Sequence, residues 1–366
     1  MAMATQNYLL CATLVYAAIL INPIACSTTQ RKLLFVLGDS LFDPGNNQYL
    51  NTSKKLAACS YPYGIDFNNH STGRLSDGRL VPDFIAQFAN LHLEPPYLQP
   101  GANFSDGVNF ASAGGAVLNM FSSPGGPMNL PTQLTNFKKV FSGLEQKSGK
   151  DEAKKVLMRS VILLSMGGND YFMFNAMNRN STLAQRRAYM HTVIGNLTNG
   201  LKEIYAMGGR KFAIQNVGPL GCQPMVLAMY PDLNGTCAKT ILGHALMHNI
   251  ALSNVLMKLQ RQLPGFKYAL FDFHHALGDR ILNPEKYGFK VGKVACCGTG
   301  LYNAQGCGGG DDGKTAYTLC SNPGDHVYFD GGHNTDRANH QLADLLWSGP
   351  PNVTGPYNVK QLFDLP

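Results

Sequence analysis

Charge is scarce in this chain: Asp, Glu, Lys and Arg make up 14% of its 366 residues, against roughly a quarter in an average soluble protein. The formal net charge of +7 is spread thinly, with Arg186-Arg187 and Lys138-Lys139 as isolated doublets. No basic stripe with interleaved aromatics appears, so no nucleic-acid partner is expected. Signatures of metal sites are missing too. There is no Cys-x-x-Cys pair, and no histidine stands at ligand spacing beside the cluster of cysteines from 296 to 320. His244 and His248 have i,i+4 spacing but lack the adjacent Glu of a zinc protease, and Gly308-Gly309-Gly310-Asp311-Asp312-Gly313 does not follow EF-hand spacing. Neither metal nor cofactor is therefore expected. Past the N-terminus no apolar run is long enough to span a bilayer, which predicts no integral membrane span in the mature chain.

The N-terminus carries the one long apolar run, residues 8–21, followed by Asn22-Pro23 and the small residues Ala25, Cys26 and Ser27. This predicts a secretory signal peptide over residues 1–26, although Lys and Arg are missing ahead of the run. Seven Asn-x-Ser/Thr sequons, at Asn51, Asn69, Asn103, Asn180, Asn196, Asn234 and Asn352, predict an exported glycoprotein carrying N-glycans. Past Cys26 seven cysteines remain, which in an exported chain read as disulfides rather than ligands. Spacing leaves the connectivity open. The expected pattern is a local Cys222–Cys237 bridge, two bridges among Cys296, Cys297, Cys307 and Cys320, and Cys59 left over.

No linker, repeat or low-complexity boundary divides residues 27–366, which predicts one domain. Short apolar runs at 33–37, 108–111, 161–165, 212–216 and 268–272 alternate with amphipathic stretches at 80–89, 134–141, 183–207, 244–263 and 336–347. Such alternation predicts an α/β fold, a parallel sheet with helices on both faces and ligands outside the carboxyl ends of the strands. The Gly-, Asn- and Cys-rich segments around 45–76 and 288–325 read as insertions shaping that rim.

Candidate chemistry gathers on the same rim. Ser40 follows the first run in Leu37-Gly38-Asp39-Ser40, where a serine at a strand end is a candidate nucleophile and its N–H is expected at the start of a helix. Gly114 follows the second run, and Gly167-Gly168-Asn169-Asp170 the third. Far downstream, Asp330-Gly331-Gly332-His333 sets an acid and a base three residues apart on one turn, the pairing a nucleophilic serine needs. Ser112 is no rival nucleophile, since no Gly-x-Ser-x-Gly elbow occurs.

Five blocks in order carry a resemblance: Phe35 to Leu41 with Asp43, Gly45, Asn46 and Asn47; Val108 to Gly114; Gly167 to Asp170; Val217-Gly218-Pro219-Leu220-Gly221-Cys222; and Asp330 to His333. In these the chain resembles the GDSL esterase/lipases of the SGNH-hydrolase superfamily, specifically the long secreted plant-type members. The resemblance implies a flavodoxin-like three-layer α/β/α fold around a central, mainly five-stranded parallel sheet. It implies Ser40 as nucleophile, His333 as base, Asp330 as its orienting acid, and an oxyanion hole from the Ser40 and Gly114 N–H groups and the Asn169 amide. Asp170 is expected to brace the Asn169 turn. Asn334 stands where the family most often has Pro, a departure that bears on the entry to the last helix.

The expected function is a secreted serine esterase or lipase acting on small-molecule or lipid esters. Its destination would be extracellular, the cell wall or apoplast in a plant, or else a vacuole or other secretory compartment. An acyltransferase using the same three residues on an alcohol acceptor is the alternative. A catalytically idle binding glycoprotein is a second, against which the intact set of residues argues.

Overall fold

The computed structural model describes residues 32–50, 56–119 and 125–366. The predicted signal segment and Asn51 lie outside them. Five short strands, β1 (Leu34–Gly38), β2 (Gly107–Asn109), β3 (Val161–Ser165), β4 (Lys211–Gln215) and β5 (Lys267–Phe271), run parallel in the order β2-β1-β3-β4-β5. Each lies within two residues of its expected position. Two elements have no counterpart in the sequence reading. A two-residue ribbon pairs β6 (Cys297–Gly298) with β7 (Thr318–Leu319), and β8 (Thr354–Pro356) adds an antiparallel edge to β5. Pro356 is tolerated because an edge strand can spare a donor.

Burial on both faces explains why the strands read as continuous apolar runs. Successive side chains alternate across the sheet. Phe35, Leu37, Ile162, Leu164, Phe212 and Ile214 point to one face, where they meet Leu130–Ser148, Lys150–Arg159, Gly168–Met177, Leu183–Met207 and Lys239–Gln262. Leu34, Val36, Leu163, Ala213 and Phe271 point to the other, against Val81–Phe88, Phe273–Leu282, Asp336–Ser348 and Val359–Asp364. Together with the short Pro224–Met229 these ten helices are numbered α1 (Val81–Phe88), α2 (Leu130–Ser148), α3 (Lys150–Arg159), α4 (Gly168–Met177), α5 (Leu183–Met207), α6 (Pro224–Met229), α7 (Lys239–Gln262), α8 (Phe273–Leu282), α9 (Asp336–Ser348) and α10 (Val359–Asp364). The result is a three-layer α/β/α fold. Removing one of these large side chains from water is worth about 1.5–3 kcal/mol, so the two faces together hold the sheet rigid beneath its rim.

Local signals set the helix starts that matter for the rim. In α9, Thr335 Oγ1 accepts the Ala338 N–H at 3.3 Å and Asp336 occupies the first turn, so the helix begins normally although Asn334 stands before it. In α1, Asp83 Oδ2 takes the Leu80 N–H at 2.8 Å while the same carboxylate forms a buried pair with Arg74.

Three disulfides, Cys222–Cys237, Cys296–Cys320 and Cys297–Cys307, match the expected pattern, and Cys59 belongs to none of them. The last bridge sits with Ala58, Tyr63, Cys296 and Phe329 in a small apolar cluster that joins the two rim insertions. Among the described residues no helix is long and apolar enough to cross a membrane.

Candidate active site

Ser40 stands two residues beyond β1, on a turn rather than a helix. The Phe42 N–H closes the turn onto the Asp39 carbonyl at 3.1 Å, and Asp39 Oδ1 takes the Leu41 N–H at 3.0 Å. The expected helix start is absent because Pro44 and Gly45 follow at once and Asp43 turns its carboxylate back onto Gly45 N and Asn46 N. Gly38 is required by proximity: a Cβ there would lie 2.9 Å from the Ser165 carbonyl oxygen and 3.0 Å from Phe42 Cβ. A residue with no local motif fixes this strand end. Gln133 of α2 takes the Gly38 N–H at 3.0 Å and donates to the Gly38 carbonyl at 2.8 Å, fully buried. The signal for it was a polar residue on the apolar stripe Leu130, Leu134, Phe137.

The far end of the chain reaches the same place. His333 Nε2 lies 2.8 Å from Ser40 Oγ, and His333 Nδ1 lies 2.7 Å from Asp330 Oδ1. Asp330 Oδ1 also accepts the backbone N–H groups of Gly332 and His333, each at 2.9 Å, so the acid cannot rotate away from the ring. Its second oxygen accepts the Tyr63 hydroxyl at 2.8 Å. With Nδ1 donating to the carboxylate, Nε2 is left to accept the serine proton.

The loop after β2 is tied down by the block that follows Ser40. Asp43 Oδ2 accepts the Ala113 N–H at 2.8 Å, Asn46 donates to the Asn109 and Ala111 carbonyls, and Asn47 donates to the Ala113 carbonyl at 2.7 Å. Gly114 then takes φ of +80°, a left-handed conformation that favours glycine, with Pro127 only 3.0 Å from where a Cβ would stand. Asn169, at the start of α4, donates one amide hydrogen to the Gly115 carbonyl at 2.8 Å, which orients the group and leaves its second hydrogen uncommitted. Among the described residues neither Ser40 N–H nor Gly114 N–H has a protein acceptor. Asp170 reaches further than expected. Its carboxylate accepts Val117 N–H and Leu118 N–H, so it also braces the segment following Gly114.

The match to the GDSL-like lipase/acylhydrolase family model runs over residues 34–346, which contains every one of these groups. The chain belongs to this family. It is 47% identical over 346 residues to GDSL esterase/lipase 1 of Arabidopsis thaliana, covering 92% of this chain and 91% of the relative. To GDSL esterase/lipase 2 of the same plant it is 45% identical, covering 95% of each. A third relative, 36% identical over 91% of this chain and 75% of its own length, is named inactive GDSL esterase/lipase-like protein 25.

Electrostatics in this GDSL family member raise His333 and lower Asp330. Burial disfavours the His333 imidazolium, but the Asp330 charge and hydrogen bond, helped by Asp39, outweigh it and raise the histidine above its ordinary value. Burial likewise works against the Asp330 carboxylate. His333, the Gly332 N–H and Tyr63 still hold it below the usual aspartate value. Asp39 is pushed up to about 7 by burial.

Other candidates fall away in this GDSL fold. His244 and His248 are fully buried, and burial lowers them to about 4 and about 3, so they are neutral core histidines. Asp272 and His275 repeat the three-residue spacing with Nδ1 2.7 Å from Oδ2, yet no hydroxyl meets His275 among the described residues. Grooves of about 680 and 540 Å³ open beside that second pair and include neither Ser40 nor His333, so room alone does not mark the chemistry.

Proposed function

We propose that this GDSL family member hydrolyses carboxylic esters through an acyl-enzyme on Ser40, and that it does so as an exported glycoprotein. The observation that carries the reading is the unbroken chain from Ser40 Oγ to His333 Nε2 and from His333 Nδ1 to Asp330, beside three donors with no acceptor among the described residues. The names of the two closer relatives reported above support the reaction class. The relative named inactive makes the intact set of groups, rather than membership, the supporting fact.

In the forward step Ser40 Oγ attacks the ester carbonyl while His333 Nε2 takes its proton. The carbonyl oxygen becomes an anion that receives hydrogen bonds from Ser40 N–H, Gly114 N–H and the second Asn169 amide hydrogen. His333 then passes its proton to the alcohol oxygen as the C–O bond breaks, leaving the acyl group on Ser40. Water attacks that acyl carbonyl, gives a proton to His333, and the carboxylic acid leaves as the proton returns to Ser40. Asp330 keeps its charge throughout and stabilises the imidazolium in both halves. Substrates are small-molecule or lipid esters, bounded by the insertions around 45–76 and 288–325.

A fluorophosphonate probe tests the nucleophile directly. One label per chain is expected, on the peptide that contains Ser40, as read by mass spectrometry. A folded chain that takes no label, or takes it elsewhere, contradicts the reading.

Export is supported by the N-terminal apolar run and by the exposure of Asn69, Asn103, Asn180, Asn196, Asn234 and Asn352, all of the sequon asparagines within the described residues. Protein from a secreting eukaryotic host is expected to lose mass on treatment with an N-glycosidase and to begin near residue 27. A full-length, glycan-free product would refute this half of the proposal.

A further inference from the structure

Tyr63 comes from the first rim insertion, 267 residues away in sequence from the acid it touches. Its ring is buried and stands edge-on to Phe329 at 5.3 Å between centroids. Its backbone is clamped: Ser71 Oγ donates to the Tyr63 carbonyl at 2.7 Å, and Gly64 N–H donates to Ser76 at 3.0 Å. On another side a Cβ at Gly308 would lie 3.2 Å from Tyr63 Cε2, and Gly308 follows Cys307 of the Cys297–Cys307 bridge. A phenol held this firmly has one hydrogen-bonding option, the Asp330 Oδ2 atom.

We propose that Tyr63 is a positioning residue for the reaction, a fourth member of the chain Ser40–His333–Asp330–Tyr63 that sets the charge Asp330 presents to the imidazole. This rests on the ester-hydrolase reading above. Oδ1 already has three donors, so orientation of the carboxylate does not need the phenol. Among the described residues Oδ2 has the phenol alone. Without it a buried carboxylate oxygen lacks a donor, the negative charge is less well spread, and the carboxylate becomes more basic. Burial and the Asp330 charge hold the Tyr63 hydroxyl protonated well beyond neutral pH, so it acts only as donor here. The titratable groups facing His333 are Asp330 and Asp39. Of these only Asp330 touches Tyr63.

Tyr63→Phe keeps the ring and removes the donor. In the wild type the Asp330 charge and hydrogen bond raise His333 above an ordinary histidine, which moves the acidic limb of kcat/KM, where neutral imidazole is required, upward. In Tyr63→Phe the more basic Asp330 stabilises the imidazolium further, so the limb moves to still higher pH. At neutral pH kcat is expected to fall roughly ten- to a hundredfold with KM little changed. Titration of His333 by NMR in histidine-labelled protein reads the same shift independently of turnover. That separates the outcome from failure of the ester-hydrolase reading, which the fluorophosphonate label on wild-type protein decides. A His333 titration unmoved in folded Tyr63→Phe protein, whatever happens to kcat, leaves Tyr63 as packing against Phe329 and overturns the proposal.

Discussion

Ser40→Ala lowers kcat for a short-chain chromogenic ester by about 10⁴- to 10⁶-fold, the range seen when a serine nucleophile is removed from an otherwise intact site. The fold is expected to stay unchanged, because the Ser40 side chain is only partly buried and among the described residues its one hydrogen bond is to His333. Circular dichroism and the thermal midpoint therefore stay at wild-type values, and the fluorophosphonate label on this peptide disappears. What remains is attack by water in a cleft that still holds its oxyanion donors. Turnover within tenfold of wild type would mean that another group forms the acyl intermediate.

Asp330→Asn removes the charge beside His333. The Gly332 and His333 N–H groups that now bind Oδ1 would hold the amide oxygen in that place, so His333 still donates from Nδ1 and keeps Nε2 free for Ser40. The negative charge is lost, and so is the Oδ2 acceptor of the Tyr63 hydroxyl, since the amide nitrogen takes its place. Two unit charges 4 Å apart interact by about 4 kcal/mol at an effective dielectric constant near 20, and losing that stabilisation of the imidazolium slows the reaction by about 10³-fold. His333 then falls toward or below its ordinary value, so the acidic limb of the rate profile moves to lower pH. That is the opposite direction from Tyr63→Phe. A loss smaller than tenfold, or a limb that moves upward, contradicts an electrostatic role for Asp330.

What the sequence disclosed and what it hid differ in range. Ser40, Gly114, Asn169 and the Asp330–His333 turn each sit in a short block whose residue types are dictated locally, by a strand end or a tight turn. The five parallel strands were visible for a similar reason, since burial on both faces leaves an uninterrupted apolar run. β8 escaped because Thr354-Gly355-Pro356 has no such run and gains its place only by pairing with β5. Gln133, Tyr63 and the further role of Asp170 escaped because each acts on backbone or carboxylate groups far away in sequence. The helix expected at Ser40 failed on a local competition: Asp39 and Asp43 both spend their carboxylates on nearby N–H groups, and Pro44 stops the chain from continuing.

Ser40 and His333 are 293 residues apart along the chain, and α9 and β8 must still follow the histidine before the sheet edge is closed. During synthesis, which runs from the N-terminus at roughly 5–20 residues per second, Ser40, Gly114 and Asn169 emerge long before His333. A polypeptide that stalls or is cut short before Asp330 has Ser40 without the histidine that meets it in the complete chain. On the proposed reading, a chain cut short before that turn is expected to hydrolyse no ester.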